Sequence, residues 1–295
     1  MRRTAVAVVV AAALFSVSLT SRPREPASSA ASSPYLLFNG GFETGSYKPF
    51  HRPQCANYGQ APSLKTFGNF FVVQSPVGEG ADAGRFDLPA DTTRGTRCEL
   101  LAPRTLNLGG DDYYTLMLYL PRGWKTSASD ATGFWGVEIA QLNFEILWGP
   151  TIALQAHDSH VTLALQTGVC AQKRCQWSSN ADNVNGHPSL PPLHAIPAKR
   201  MRFAAWNELI IHAHWATDST GIVEVWHRIK GQRAWRKTAS LHGYPTVQVN
   251  PDGSYPIDTI DKIGAYRGPS TAPTSVWLDG FSRSGSFAAA AAHLP

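Results

Sequence analysis

The chain has 295 residues, of which 43% are hydrophobic, 11% aromatic (nine Trp) and 16% charged, with a formal net charge of +5. That length allows one large core or at most two domains, and the composition excludes a disordered chain and fits an extracellular β protein better than a cytosolic one. The basic excess is weak evidence for an acidic partner: without residues 1–31, which hold Arg2, Arg3, Arg22, Arg24 and Glu25, 22 basic and 20 acidic residues leave +2, so attraction to a polyanion must come from local clustering.

From the N-terminus, "MRR" is a short basic start, "AVAVVVAAALF" an apolar stretch and "SVSLTS" a small, polar run. This is the layout of a secretory signal peptide. Residues 22–34 are rich in Ser, Ala and Pro and read as a disordered leader. No later apolar segment is long enough to span a bilayer. The expected organisation is a signal peptide and leader over 1–31, one domain over 35–287 and a flexible tail over 288–295. The protein is expected to be secreted and monomeric, with no membrane or nucleic-acid partner. The tail's "AAAAAH" is the single stretch that suggests a helix.

Short alternating apolar segments follow in order: 67–77, 97–103, 113–121, 135–144, 151–168, 206–217, 221–229 and 276–287. Each reads as strand. "DSTG" and "HDSH" sit between alternating runs and predict two hairpins. Many antiparallel strands closed by short turns predict an all-β fold, a two-sheet antiparallel jelly-roll sandwich with a concave groove. Four cysteines in an exported chain predict disulfides. Three pairings exist, and Cys170–Cys175 with Cys55–Cys98 is favoured.

Four segments carry candidate chemistry. In "RCELL", Arg97 and Glu99 share one strand face and Cys98 points the other way. In "VEIAQLNFEILWGP", strict alternation puts Gln141 and Asn143 on one face and Glu138 on the other. In "WNELIIHAHWATD", His212 and His214 lie two apart on a strand, a spacing that suits a metal less often than an ordinary groove or surface. In "IDKIGAYRG", Lys262, Gly264 and Tyr266 share a face, and Arg267 falls on the opposite one.

In series, "RCEL", "AQLN", "DKIGAYRG" and "VWLDGFSRSG" resemble the jelly-roll polysaccharide lyases. The likeness is greatest to the group of heparin lyase I and glucuronan lyase, and more distant to the alginate lyases. Arg97 and Glu99 match an R-x-E-L strand, Gln141 the Gln of Q-x-H, and Lys262, Gly264 and Tyr266 part of Y-x-K-x-G-x-Y. The hairpin "WNELIIHAHWATDSTGIVEVWHRIKGQ" and the first strand "FNGGFETGSYKPF" extend the likeness over nearly the whole mature chain. Asn143 replaces the family's His and Ile260 its first Tyr, which puts a His base in doubt.

The resemblance implies β-elimination at a 4-linked uronic acid of an acidic polysaccharide, with no cofactor needed for the chemistry. Gln141, Asn143 and Arg97 would bind the C6 carboxylate, Tyr266 would transfer protons, and Lys262 would hold substrate charge. Glu99, His212, His214 and Arg267 are further substrate-binding candidates. Glu43 and Asp279 match acidic positions where such folds hold a structural Ca²⁺. Two rivals stand beside this reading. One is a non-catalytic carbohydrate-binding protein. The other is a glycoside hydrolase using Glu99 with Glu138 or Glu145.

Overall fold

The computed structural model describes residues 36–55, 66–67, 69–92, 96–126, 136–145, 149–171, 174–179, 190–191 and 193–295. The signal peptide and leader expected over 1–31 lie outside them. Alternating β-branched and aromatic residues form strands throughout: β1 Leu36–Asn39, β2 Arg52–Cys55, β3 Thr66–Phe67, β4 Phe70–Val73, β5 Ala83–Leu88, β6 Thr96–Thr105, β7 Asp111–Tyr119, β8 Val137–Glu145 and β9 Gly149–Ala156. There follow β10 Val161–Ala171, β11 Arg174–Ser178, β12 Leu193–Ile196, β13 Trp206–His214, β14 Ile222–Ile229, β15 Arg236–His242, β16 Gln248–Val249, β17 Asp258–Arg267 and β18 Thr274–Ser284, then helix α1 Phe287–His293.

These strands make two sheets. The front sheet runs β11-β10-β9-β8-β17-β6-β2, with β12 and β16 paired to β10. The back sheet runs β15-β14-β13-β7-β18-β5-β4-β3, with β1 on β18. The two-sheet, almost wholly antiparallel sandwich expected from the sequence is present, as are both predicted hairpins, β9–β10 and β13–β14. Cys55 sits opposite Cys98 on β2 and β6, and Cys170 opposite Cys175 on β10 and β11. Both favoured disulfides form.

The core lies between the sheets. Leu100 and Ala102 of β6 and Ile263 and Ala265 of β17 meet Leu116 and Leu118 of β7, Leu209 and Ile211 of β13, and Val276 and Leu278 of β18. Within this apolar layer sits an ionic cluster. Arg104 pairs with Asp112 at 2.9 Å, Arg283 with Asp261 at 3.2 Å, and the Trp215 indole N–H donates to Asp112 at 2.8 Å. The Arg104 guanidinium lies 4.8 Å from the Trp215 ring centre. Two cations against two carboxylates leave the cluster balanced, the condition for burying charge.

The flexible tail expected over 288–295 is instead ordered structure. Ser286 caps α1, its hydroxyl accepting from the Ala289 N–H. The helix buries Ala290, with Leu294 beyond its end, against Met117, Trp206 and Ile210 on the outer face of the back sheet. No helix of the described residues is long and apolar enough to cross a membrane.

Candidate active site

The candidate residues gather on the outer face of three adjacent front-sheet strands, β6, β17 and β8. On β6, Cys98 and Leu100 enter the core, so Arg97 and Glu99 face outward. On β17, Ile263 and Ala265 enter the core, so Lys262, Gly264 and Tyr266 face outward. The register sets Tyr266 opposite Arg97, Gly264 opposite Glu99, and Lys262 opposite both Leu101 and Gln141.

Gly264 is required where it stands. Its φ of +152° is rarely adopted by an L residue, and a Cβ there would lie 2.2 Å from the Cys98 carbonyl oxygen. Close approach of β17 to β6 thus fixes the spacing of Tyr266 and Lys262 over Arg97 and Glu99.

Strand β8 departs from strict alternation. Val137 and Ile139 are core residues, but so are Ala140 and Leu142. The register with β9 shifts between Glu138 and Ala140, a β-bulge. Glu138 and Gln141 therefore share the outer face, against the alternation read from the sequence. The Gln141 Nε2 donates to Glu138 Oε2 at 2.8 Å. The adjacent pair Ile139–Ala140, flanked by two polar residues, is the sequence signal for this bulge. A second irregularity falls at Asn143, whose φ is +53°. Its backbone N–H donates to Asp261 Oδ1 at 3.0 Å, and its side-chain amide to Thr151 Oγ1 at 3.0 Å. The buried ionic cluster is thus tied directly to the strand that carries Gln141.

Electrostatics follow from burial. Glu99 is 2%, Lys262 3%, Gln141 4% and Glu138 9% exposed. Burial raises the Glu99 carboxyl above the ordinary carboxylate range, against the pull of Lys262 and Arg97. Burial and then the charge of Glu99 push Glu138 up to about 7, with Gln141, Lys262 and Gln155 acting the other way. The Tyr266 phenol is raised by burial, lowered by Arg97, and raised by Glu138 and Glu99. The Arg97 guanidinium sits 5.2 Å from the Tyr266 ring centre. An open cleft of about 810 Å³ lies further along the same strands, lined by His51, Leu101, Pro103, Ile260, Arg104 and Arg283 and by none of these site residues; Leu101, the register partner of Lys262, is where it comes nearest.

Three expected substrate contacts lie elsewhere. His212 and His214 are on β13 of the back sheet, where Leu209, Ile211 and Ala213 take the core side, so both His face outward from the opposite sheet. There His212 Nε2 lies 2.7 Å and His214 Nδ1 3.1 Å from Asp111 Oδ1, and the His212 ring stacks on Tyr113. Alternation gives a residue's face but not its sheet. Arg267 is fully buried, and its guanidinium donates to the carbonyls of Thr126, Leu88, Pro89 and Ala272. It ties loops together and does not face the site. Glu145 ends β8 outside the residues whose side chains are described.

Glu43 and Asp279 both face the 78–82 loop, away from this site. Glu43 accepts from the Ala81 N–H at 2.8 Å, and Asp279 from Gly78 and Glu79 at 3.0 Å each. Their oxygens are engaged by N–H donors, which a cation would have to displace. Among the described residues no group of three or more His, Cys, Asp or Glu converges to hold a metal ion. Glu79 stands near both, its carboxyl raised by burial and by the charges of Asp279 and Glu43, and no step below uses Ca²⁺.

Two antiparallel sheets packed face to face with this strand order define a jelly-roll sandwich. A family model described as polysaccharide lyase matches residues 42–282, and the chain belongs to that family. Among solved structures, the endo-β-1,4-glucuronan lyase of the fungus Trichoderma reesei superposes with a TM-score of 0.60 at 16% identity, covering 86% of this chain and 98% of that one. The alginate lyase of Aplysia kurodai gives 0.44 at 11% identity, covering 74% and 87%, and the Chlorella virus alginate lyase 0.41 at 9%, covering 85% and 100%. No curated protein matches the chain. The protein is a polysaccharide lyase.

Proposed function

We propose that this lyase is secreted and cleaves a 4-linked uronic-acid polysaccharide by β-elimination. The observation that carries the reading is the convergence of Tyr266, Arg97, Lys262 and Gln141 on one outer face of β6, β17 and β8. Elimination breaks the C5–H and C4–O4 bonds and forms a C4=C5 double bond, and the proton ends on O4. The C5 proton is weakly acidic while the C6 carboxylate carries its charge. Donors from Gln141 and Lys262 that stabilise the enolate-like transition state make it removable. Tyr266, as phenolate, takes the C5 proton and, as phenol, returns it to the leaving O4. Arg97 against the ring favours the phenolate and opposes part of the rise that burial causes. The phenolate is easier to form when the neighbouring carboxyls are protonated.

A net charge of +2 on the chain beyond residue 31 favours a carboxylated polymer such as glucuronan over a densely sulfated one. The exported location is supported by the N-terminal pattern and the two disulfides. A second reading has one observation behind it. Glu99 and Glu138 share the site, as a hydrolase's carboxyl pair would. Mixing the purified protein with glucuronan, alginate, heparin, heparan sulfate and hyaluronan, and following ultraviolet absorbance of the unsaturated product, tests the proposal. A rise with a uronate polymer that vanishes in Tyr266→Phe supports it; chain shortening with no absorbance favours the hydrolase, and binding without cleavage the non-catalytic reading.

A further inference from the structure

Glu138 has no role in the elimination described above, yet it is the side chain that contacts Gln141. It accepts from Gln141 Nε2 at 2.8 Å. In that arrangement Gln141 Oε1 is buried with no hydrogen-bond partner among the described residues. Orphaned buried acceptors are rare and costly. The arrangement also commits an N–H of the amide to Glu138, and it is an amide N–H, not the carbonyl oxygen, that can bind a substrate carboxylate.

A half-turn of the Gln141 amide removes both faults, provided Glu138 has a proton to donate. We propose that protonated Glu138 donates its O–H to Gln141 Oε1 and so turns the Gln141 N–H groups toward the substrate carboxylate, making Glu138 a pH-sensitive positioning residue. When Glu138 ionises it recaptures an N–H of the amide, which is then lost to the substrate. The inference rests on the reading of Gln141 as the carboxylate donor.

The surroundings favour a proton on Glu138 near neutrality. β6 brings the carboxyl of Glu99, which opposes ionisation, and the guanidinium of Arg97. β17 brings Lys262, which favours ionisation, and the phenol of Tyr266. β9 brings the uncharged Gln155, which hydrogen-bonds the Glu138 carboxylate. Burial and Glu99 prevail over Lys262 and the two amides. An arriving uronate adds a further negative charge and retains the proton more firmly.

The test compares kcat/KM across pH for the wild type, Glu138→Gln and Glu138→Leu. Glu138→Gln keeps a neutral donor for Gln141 Oε1. Its activity is expected within about threefold of wild type at acid pH, and the ratio of variant to wild type should rise about tenfold per pH unit above neutrality. Ionised Glu138 also raises the Tyr266 phenol, so the kinetic ratio is read together with the amide signal below, which reports Gln141 alone. Glu138→Leu, with no donor, should be slow at every pH. A ratio that is flat with pH would mean a merely structural role and overturn the proposal.

A second readout needs no turnover. The ¹⁵N-labelled side-chain amide of Gln141, assigned by its loss in Gln141→Met, should shift with a midpoint near neutral pH in the wild type and stay flat in Glu138→Gln. A wild-type amide that does not titrate from about pH 5 to about pH 9 overturns the switch whatever the activity. A titrating amide with no turnover of any polyuronate supports the switch and sinks the uronate reading instead.

Discussion

Gly264→Ala isolates the claim that strand spacing positions the site. The added Cβ would lie 2.2 Å from the Cys98 carbonyl oxygen and 2.6 Å from the Glu99 Cα, both backbone atoms that no rotamer change can move. The backbone conformation at φ +152° adds about 1–3 kcal/mol for a non-glycine residue. Relieving the overlap by separating β17 from β6 adds about 1–3 kcal/mol more. The sum, about 2–6 kcal/mol, predicts a fall in urea midpoint of roughly 1–2 M. Strand separation also moves Tyr266 and Lys262 away from Arg97 and Glu99. A displacement of about 1 Å is enough to lower kcat on the order of 100-fold, even where the variant is still fully folded. Urea unfolding followed by Trp fluorescence, with kcat measured well below the transition, separates the two effects. A variant with an unchanged midpoint and unchanged kcat would refute the argument.

Four further outcomes are expected. Asp261→Asn leaves Arg104 and Arg283 short of one buried countercharge and should destabilise the fold by about 3–5 kcal/mol in urea unfolding. Arg267→Met leaves four carbonyls without their donor and should lower stability by more than about 3 kcal/mol, with kcat below the transition close to wild type. His212→Ala, on the far face of the back sheet, should change kcat/KM by less than about twofold. Burial, then Asp279 and Glu43, raise the Glu79 carboxyl to about 8. A raised carboxyl holds its proton longer in the folded than in the unfolded chain. Its stabilising contribution is therefore complete below the ordinary carboxylate range and lost as pH rises through about 8. Thermal unfolding from acid to alkaline pH should show that decline, and Glu79→Gln should flatten it.

The sandwich was legible because its central strands alternate cleanly, as in "YYTLMLYLP" and "GIVEVWHRI". The edge strand β15, "RKTASLH", and the short β5, "AGRFDL", lack that alternation, since the first is mostly exposed and the second carries a glycine and two charges. The candidate site was legible where strands are regular. Arg97, Glu99, Lys262 and Tyr266 occupy the face their parity assigns. On β8 parity fails, because one inserted residue at Ile139–Ala140 brings Glu138 round beside Gln141. His212 and His214 obey parity, but no periodic pattern says which of two sheets a strand joins. The buried Arg104–Asp112–Asp261–Arg283 cluster could not be read at all, for its members are 8 to 179 residues apart and meet only through the pairing of β6, β7, β17 and β18.

The most direct measurement of the central claim is the mass of the products from a defined uronate oligosaccharide. Elimination adds nothing to the atoms of the substrate, so the masses of the two fragments must sum to that of the intact oligosaccharide, with the C4=C5 unsaturation at the new non-reducing end of the fragment from the reducing side of the cleaved bond. A sum heavier by one water would identify hydrolysis, move the chemistry from Tyr266 to the Glu99–Glu138 pair, and contradict the account.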